Sequence, residues 1–284
     1  NAEIHYLTFS KFSNLLSSNP YIDKVHSIEK NIKEVVATLK DENYDLLIDL
    51  HHNVRTQTLK QKLGVKSKSF RKINVQKWLM TTFKINLLPN LHIVDRYMET
   101  VKHLGVENDN LGLDFFLTEK DKIEDLPNEF IAFAIGGKHE TKKLPEEKII
   151  SICRKLNEKI ILIGGEEDFE KGEKIVADTT NTQNTCGKHS IVQSAFIIKN
   201  AKHVISHDTG MMHIAAAFKK KIYSIWGNTI PAFGMSPYSA NLNSKIIEVA
   251  NLSCRPCTKI GYKKCPRGHF DCMQEIDEDL FLNK

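Results

Sequence analysis

Two hydrophobic rhythms alternate along the chain. Short apolar runs bounded by Gly or polar residues read as strands, and apolar positions three and four apart read as one face of a helix. In the first half, residues 1–8 and Val25 to Ser27 are strand-like. Tyr44 to Leu50 is the clearest strand there and runs into His51-His52-Asn53. Lys11 to Leu16 predicts a short helix ended by Ser17-Ser18-Asn19-Pro20. Ile28, Ile32, Val35, Val36 and Leu39 predict a helix over 28–40, and His92 to Leu104 predicts another, stopped by Gly105. Leu111, Leu113, Phe115 and Leu117 alternate as in an extended segment. The charged stretch 119–128 reads as a linker. The second half repeats one unit. Strands at 130–135, 159–163, 184–187, 203–206 and 222–226 alternate with helices at 145–156, 168–177, 191–200 and 211–218. That alternation predicts an α/β fold with a parallel sheet, and right-handed crossovers place every strand-to-helix turn at one edge. The expected organisation is two domains, 1–122 and 123–284.

The turns at that edge carry the candidate chemistry. Gly136 and Gly137 follow one strand, Gly164 and Gly165 the next, Gly210 a third and Gly227 a fourth. In Asp208-Thr209-Gly210-Met211 the backbone N–H groups and the positive end of a helix form a ready site for a phosphate or diphosphate. Lys142, on the loop after the first of these strands, supplies a point charge for the same anion. Asp168 opens a helix and serves either sugar hydroxyls or the helix N-cap. His213 is either a donor to an oxyanion or a satisfied core histidine. Asp208 orders the turn, because a carboxylate acting beside a diphosphate would repel it. In the first half, His51, His52 and Asn53 lie at the carboxyl edge of a strand, where open α/β sheets bind ligands. They are acceptor-side candidates or hydrogen-bonded loop residues.

Composition narrows the classes. At 284 residues with 41% hydrophobic, the chain is an ordinary globular α/β length. No apolar run approaches the roughly 18–20 residues that span a bilayer. The net charge of +5 is modest, so its placement matters more than its sum. Lys60, Lys62, Lys66, Lys68, Arg71, Lys72, Lys77 and Lys84 form a one-sided basic stretch interleaved with Phe70, Trp78 and Phe83. It reads as a solvated face, or as a surface for an anionic acceptor or acidic leaflet. No nucleic-acid recognition motif accompanies it. Cys153 and Cys186 sit in core-like contexts, as expected of reduced thiols in a cytoplasmic protein. The tail offers Cys254-Arg255-Pro256-Cys257, then Cys265 and Cys272. These four thiols suit a closed structural zinc site, although the later spacing is not a second Cys-x-x-Cys. Arg255, Lys259, Lys263, Lys264 and Arg267 around them read as a solvated loop or as a second anion-facing cluster.

The run Asp208-Thr209-Gly210-Met211-Met212-His213-Ile214-Ala215-Ala216-Ala217, followed by Ile225-Trp226-Gly227-Asn228-Thr229 and Pro231, resembles the signature of the lipopolysaccharide heptosyltransferases, glycosyltransferase family nine. The resemblance also takes in 136–145, 161–168 and the cysteine tail, and covers the first half loosely. It implies a GT-B fold: two Rossmann-like domains with parallel sheets facing across a cleft, acceptor side first, donor side second. It implies an inverting, metal-independent transfer of heptose, usually from ADP-heptose, to an anionic glycolipid acceptor of the lipopolysaccharide core. The enzyme is then expected in the cytoplasm, peripheral on the inner membrane leaflet. Thr209, Gly210 and His213 match positions around the donor diphosphate, Lys142 the donor lysine, and Asp168 an acidic residue on the ribose. Similar tail cysteines occur in members not regarded as zinc proteins. The family's catalytic carboxylate follows its first strand, and Glu3 to Leu7 resembles its second. That base is therefore expected ahead of Asn1. Two other readings stand beside this one: a GT-B enzyme that epimerises or hydrolyses a nucleotide sugar, and a zinc-stabilised binding module.

Overall fold

The computed structural model describes residues 2–282. In chain order its strands are β1 (His5–Phe9), β2 (Lys24–Ile28), β3 (Leu47–Asp49), β4 (Ser67–Ser69), β5 (Ile131–Ala134), β6 (Ile160–Ile163), β7 (Thr182–Asn184), β8 (His203–His207), β9 (Ile222–Trp226) and β10 (Lys245–Glu248). The helices are α1 (Ser10–Ser13), α2 (Val36–Asp41), α3 (Val54–Leu63), α4 (Asn74–Phe83), α5 (Ile93–Met98), α6 (Glu146–Lys155), α7 (Phe169–Ala177), α8 (Ile191–Asn200), α9 (Gly210–Ala217) and α10 (Asp271–Gln274). These elements form two units. One comprises 1–72, 93–109 and 116–118, and the other 73–92, 110–115 and 119–284.

The larger unit is built on a six-stranded parallel sheet in the order β10-β9-β8-β5-β6-β7. Every residue of β5, β6, β8 and β9 is buried. Such strands read as continuous apolar runs because helices cover both faces. Pro145 precedes α6, whose first turn carries Glu146 and Glu147 against the positive end of the helix. Ser190 caps α8 and exchanges hydrogen bonds with Gln193 in a capping box. The core runs from Ile131, Phe133 and Ile135 through Ile149, Ile152 and Cys153 to Met273 and Phe281, so the cysteine-bearing tail packs as part of the sheet's cover. Strand order doubles back at β5. The chain proceeds outward through β6 and β7, then returns to lay β8 on the other side of β5. The crevice beyond the carboxyl ends of β5 and β8 is the topological switch point where such sheets bind ligands.

The smaller unit holds two parallel pairs, β1 with β2 and β3 with β4. Ile28, Ile32, Leu39 and Leu59 form its core together with Leu7, Phe9, Tyr44 and Leu47. The single helix expected over 28–40 is broken. Ile28 ends β2, and Asn31 caps a 3₁₀ turn at Ile32–Glu34 before α2 begins. The cause is local: Glu34 turns back to accept the N–H groups of Glu29, Lys30 and Asn31, which a continuous helix would leave to earlier carbonyls. No strand forms over 111–117. Phe115 packs edge-on against Phe218 in the larger unit, whereas Phe116 packs against Tyr21 in the smaller. Successive side chains there thus pack against different units rather than lining one sheet face.

Candidate active site

The turn after β8 is the centre of the site. Thr209 stands in extended conformation at the N-cap of α9 and makes no side-chain hydrogen bond to the helix. The first N–H groups of α9 are therefore left without the usual cap, which is the condition for holding an anion. Gly210 is exposed, and a Cβ built there meets nothing within 4 Å. The space above the helix end is open to a ligand.

Lys142, in the 3₁₀ turn Glu140–Lys142 after β5, donates to Asp208 Oδ2 at 2.5 Å and to the Asp208 carbonyl at 3.3 Å. Thr229 Oγ1 donates to the same carboxylate oxygen at 2.9 Å. The Lys142 and Asp208 side chains are only 16% and 10% exposed, so the pair is largely out of water. Asp208 therefore orders the turn, with its charge balanced by Lys142. A lysine has three donors, and one of Lys142's remains after these contacts. His213 lies on α9, half-buried, and burial lowers its pKa; Asp208 opposes that shift, while His92 and Lys142 add to it. At neutral pH it is an uncharged imidazole beside the turn.

The neighbouring turns press together. A Cβ at Gly137 would stand 3.3 Å from the Thr209 methyl, and one at Gly136 would stand 2.4 Å from Asp168 Oδ2 and 3.3 Å from Gly164 Cα. Only glycine allows the loops after β5, β6 and β8 to approach this closely. Asp168 is 1% exposed; its Oδ2 accepts from the Gly165 N–H at 3.1 Å, and Lys143 Nζ lies 3.4 Å from its Oδ1. Asp168 stands at the N-cap of α7 but its side chain makes no cap hydrogen bond to that helix, bonding back to Gly165 instead. Met211 follows Gly210 in the first turn of α9 and is half-buried. The structure thus gathers Gly136, Gly137, Lys142, Gly164, Asp168, Asp208, Thr209, Gly210, Met211 and His213 at the carboxyl edge of adjacent strands β6, β5 and β8, with Gly227 following β9.

His51, His52 and Asn53 follow β3 in the smaller unit. The His51 and His52 N–H groups donate to Asp49 Oδ1 at 3.0 and 2.7 Å, and Asn53 caps α3 in a box with Thr56. Asp49 was not legible as a site residue from sequence. It is buried and paired with Lys60 at 3.1 Å. Burial pushes its carboxyl up, but the His52 N–H and Lys60 more than offset this and hold the pKa below the usual range.

Other side chains at the larger unit's edge escaped the sequence reading. Lys143 is buried between Glu140 and Asp168; burial pulls its pKa down, and the two carboxylates raise it further than that. Asn228 is 2% exposed, and neither end of its amide has a hydrogen-bond partner among the described residues. Arg255 departs from the solvated-loop expectation. Its side chain is 7% exposed and donates to the carbonyls of Gly227, Trp226, Thr229 and Val249 and to Glu248. Lys259, Lys263, Lys264 and Arg267 are exposed, as a solvated loop requires. The basic stretch is likewise not uniform: Lys60 is ion-paired inside, and Lys84 donates to the carbonyls of Cys254 and Pro256. Cys254, Cys257, Cys265 and Cys272 are free thiols, and Cys272 is buried. No three of these thiols approach within metal-ligand range of one another.

The profile of glycosyltransferase family 9 (heptosyltransferase) matches residues 32–265, most of the chain. The chain belongs to glycosyltransferase family 9. Membership makes it a glycosyltransferase, and the signature about Asp208 to His213 lies inside the matched region. A lipopolysaccharide heptosyltransferase 1 from Campylobacter coli is 23% identical over 99% of this chain and 88% of its own length. The structure of Escherichia coli ADP-heptose lps heptosyltransferase II matches with a TM-score of 0.71 at 17% identity, over 97% of this chain and 89% of that one. Escherichia coli heptosyltransferase WaaC, solved with ADP, matches with a TM-score of 0.63 at 20% identity, over 82% of this chain and 81% of that one. The fold is the Rossmann-like GT-B fold of these family members. Among the described residues no helix is long and apolar enough to cross a membrane.

Proposed function

We propose that this chain transfers heptose, with inversion, from ADP-heptose to an anionic glycolipid acceptor of the lipopolysaccharide core. The observation that carries the reading is the uncapped N-terminus of α9, flanked by the Lys142–Asp208 pair, at the switch point of a parallel sheet. The WaaC structures with ADP and with ADP-2-deoxy-2-fluoro heptose support an adenosine diphosphate donor. In this proposal the α9 N–H groups, Thr209 and Gly210 hold the diphosphate. The remaining Lys142 donor stabilises the negative charge that develops as the diphosphate leaves, where such help counts most. A carboxylate removes the acceptor proton as its oxygen attacks the face opposite the diphosphate, an effect worth about 10²–10⁴-fold. The smaller unit takes the acceptor, with His51 and His52 at its strand edge, and residues 123–284 take the donor. The transfer needs no metal in this reading.

Acceptor contact at an anionic membrane surface follows from the same proposal. Helix α4 exposes Val75 and Trp78, and Phe83, Ile85 and Leu87 continue that apolar surface. Aromatic and aliphatic residues of this kind anchor at an interface.

Calorimetric titration with ADP-, UDP- and GDP-sugars tests the proposal. ADP-heptose is expected to bind and Lys142→Ala to weaken it at least tenfold. Binding of none of the three removes the donor-site assignment. Nucleotide release at the full rate without any acceptor points to a hydrolase or epimerase instead.

A further inference from the structure

At the start of β1 and the middle of the neighbouring β2, two histidines and a glutamate converge. His5 Nδ1 and His26 Nε2 stand 3.4 Å apart, Glu42 Oε2 lies 3.7 Å from His5 Nδ1, and Glu42 Oε1 lies 3.6 Å from His26 Nε2. Two donors bound to zinc at about 2.05 Å with a tetrahedral angle sit about 3.3 Å apart, so this triangle is close to the size a metal imposes. Tyr44 Oη lies 2.8 and 3.2 Å from the same two nitrogens, near where a fourth ligand or its water stands.

The surroundings are those of a built site. The side chains of His5 and His26 are 7% and 6% exposed and that of Glu42 19%. His5 Nε2 is hydrogen-bonded to Glu3 Oε1 at 2.8 Å, which places the proton on Nε2 and leaves Nδ1 with its lone pair. A carboxylate on the remote nitrogen is the usual outer partner of a metal-bound histidine. Lys24 pairs with Glu42 and is half-exposed, free to move to solvent when a cation takes its place.

We infer that His5, His26 and Glu42 form a binding site for a divalent transition metal of the zinc type, one that ties β1, β2 and the segment after α2 together. The two-histidine, one-carboxylate set suits zinc and leaves a fourth position for water or the Tyr44 hydroxyl. The site is separate from the proposed donor site in the larger unit and independent of which sugar is transferred.

The test uses the full chain, stripped with chelator and carrying Cys254→Ser and Cys257→Ser so that the tail thiols do not compete. Titration with Zn²⁺ is expected to show one equivalent bound. The Co²⁺ form is expected to show ligand-field bands without thiolate charge transfer. His26→Phe and Glu42→Gln are expected to abolish uptake, and Glu3→Gln to weaken it by about 10–100-fold as an outer-partner loss does. Glu42→Gln keeps shape and removes charge, so it reads the site even where His26→Phe disturbs folding. No zinc uptake by the parent protein, or uptake unchanged in Glu42→Gln, overturns the inference.

Discussion

At the scale of single residues, Gly210 separates ligand space from chain stability. Its φ is not in the left-handed region, and a Cβ there touches nothing. Gly210→Ala is therefore expected to raise stability by about 0.4–1 kcal/mol through the unfolded chain. Gly210→Val places a branched side chain in the space over the helix end and is expected to lower donor affinity tenfold or more. Thermal melts beside donor titrations check both, and unchanged donor affinity in Gly210→Val moves the diphosphate elsewhere. Arg255 is the opposite kind of residue, buried and fully used. Arg255→Lys keeps the charge but loses the planar fork that reaches four carbonyls and Glu248. With each buried acceptor left unpaired costing about 1–3 kcal/mol, this variant is expected to lose about 2–4 kcal/mol in denaturant unfolding. An unfolding midpoint equal to the parent's contradicts the role given to it. Neither the buried role of Arg255 nor that of Asn228 was legible in sequence, because what defines them is burial and the groups the fold brings, or fails to bring, within hydrogen-bond reach. Asp208, by contrast, was named in sequence as an organiser of its turn, and in the structure it accepts from Lys142 and Thr229.

At the scale of elements, β8 carries an acid sensitivity. His203 and His207 stand at its two ends, both buried. Burial pulls His203 down to about 4 and His207 down to about 3. The unfolded chain takes up these protons near pH 6.5 and the folded chain does not, so stability is full above pH 6.5. It falls as the pH drops from 6.5 toward 4, by up to about 1.4 kcal/mol per pH unit for each histidine. Urea midpoints between pH 7.5 and 5 are expected to decline, and His203→Gln to flatten part of the slope. A slope that His203→Gln leaves unchanged assigns the acid loss to other groups. The same scale shows what patterning conveyed. Strands β5, β6 and β9 were legible because each is a mostly apolar run ending in Gly, whereas β7 (Thr-Gln-Asn) has no apolar residue and the exposed edge strand β10 was missed. The segments 28–40 and 111–117 were misread because Glu34 rewires local hydrogen bonds and because Phe115 and Phe116 pack against residues of different units. Helical spacing and strand alternation both assume one partner face, and neither segment has one.

At the scale of the whole molecule, the two units differ in how much they bury. The larger has a continuous core along one face of its sheet, joined by β5, β6, β8, β9 and β10, while the smaller rests on Ile28, Ile32, Leu39 and Leu59 with half-buried neighbours. Hydrogen exchange is expected to release β1–β4 before β5, β6, β8 and β9, since local stability follows buried contact. A donor at 100 times its dissociation constant adds about 2.7 kcal/mol to whatever holds it, and the added protection is expected in the larger unit. Equal protection of both units by donor refutes that assignment. The proposed metal cluster was invisible from sequence for a related reason: His5, His26 and Glu42 share no spacing motif and meet only because β1 pairs with β2 and the end of α2 returns beside them. The strand order has a further consequence for biosynthesis. β5 is the first strand of the large sheet to leave the ribosome, and its partner β8 begins 72 residues later (203 minus 131). At about 5–20 residues per second, one edge of that apolar strand waits several seconds for its neighbour. Nascent chains thus expose one unpaired edge of this apolar strand over that interval.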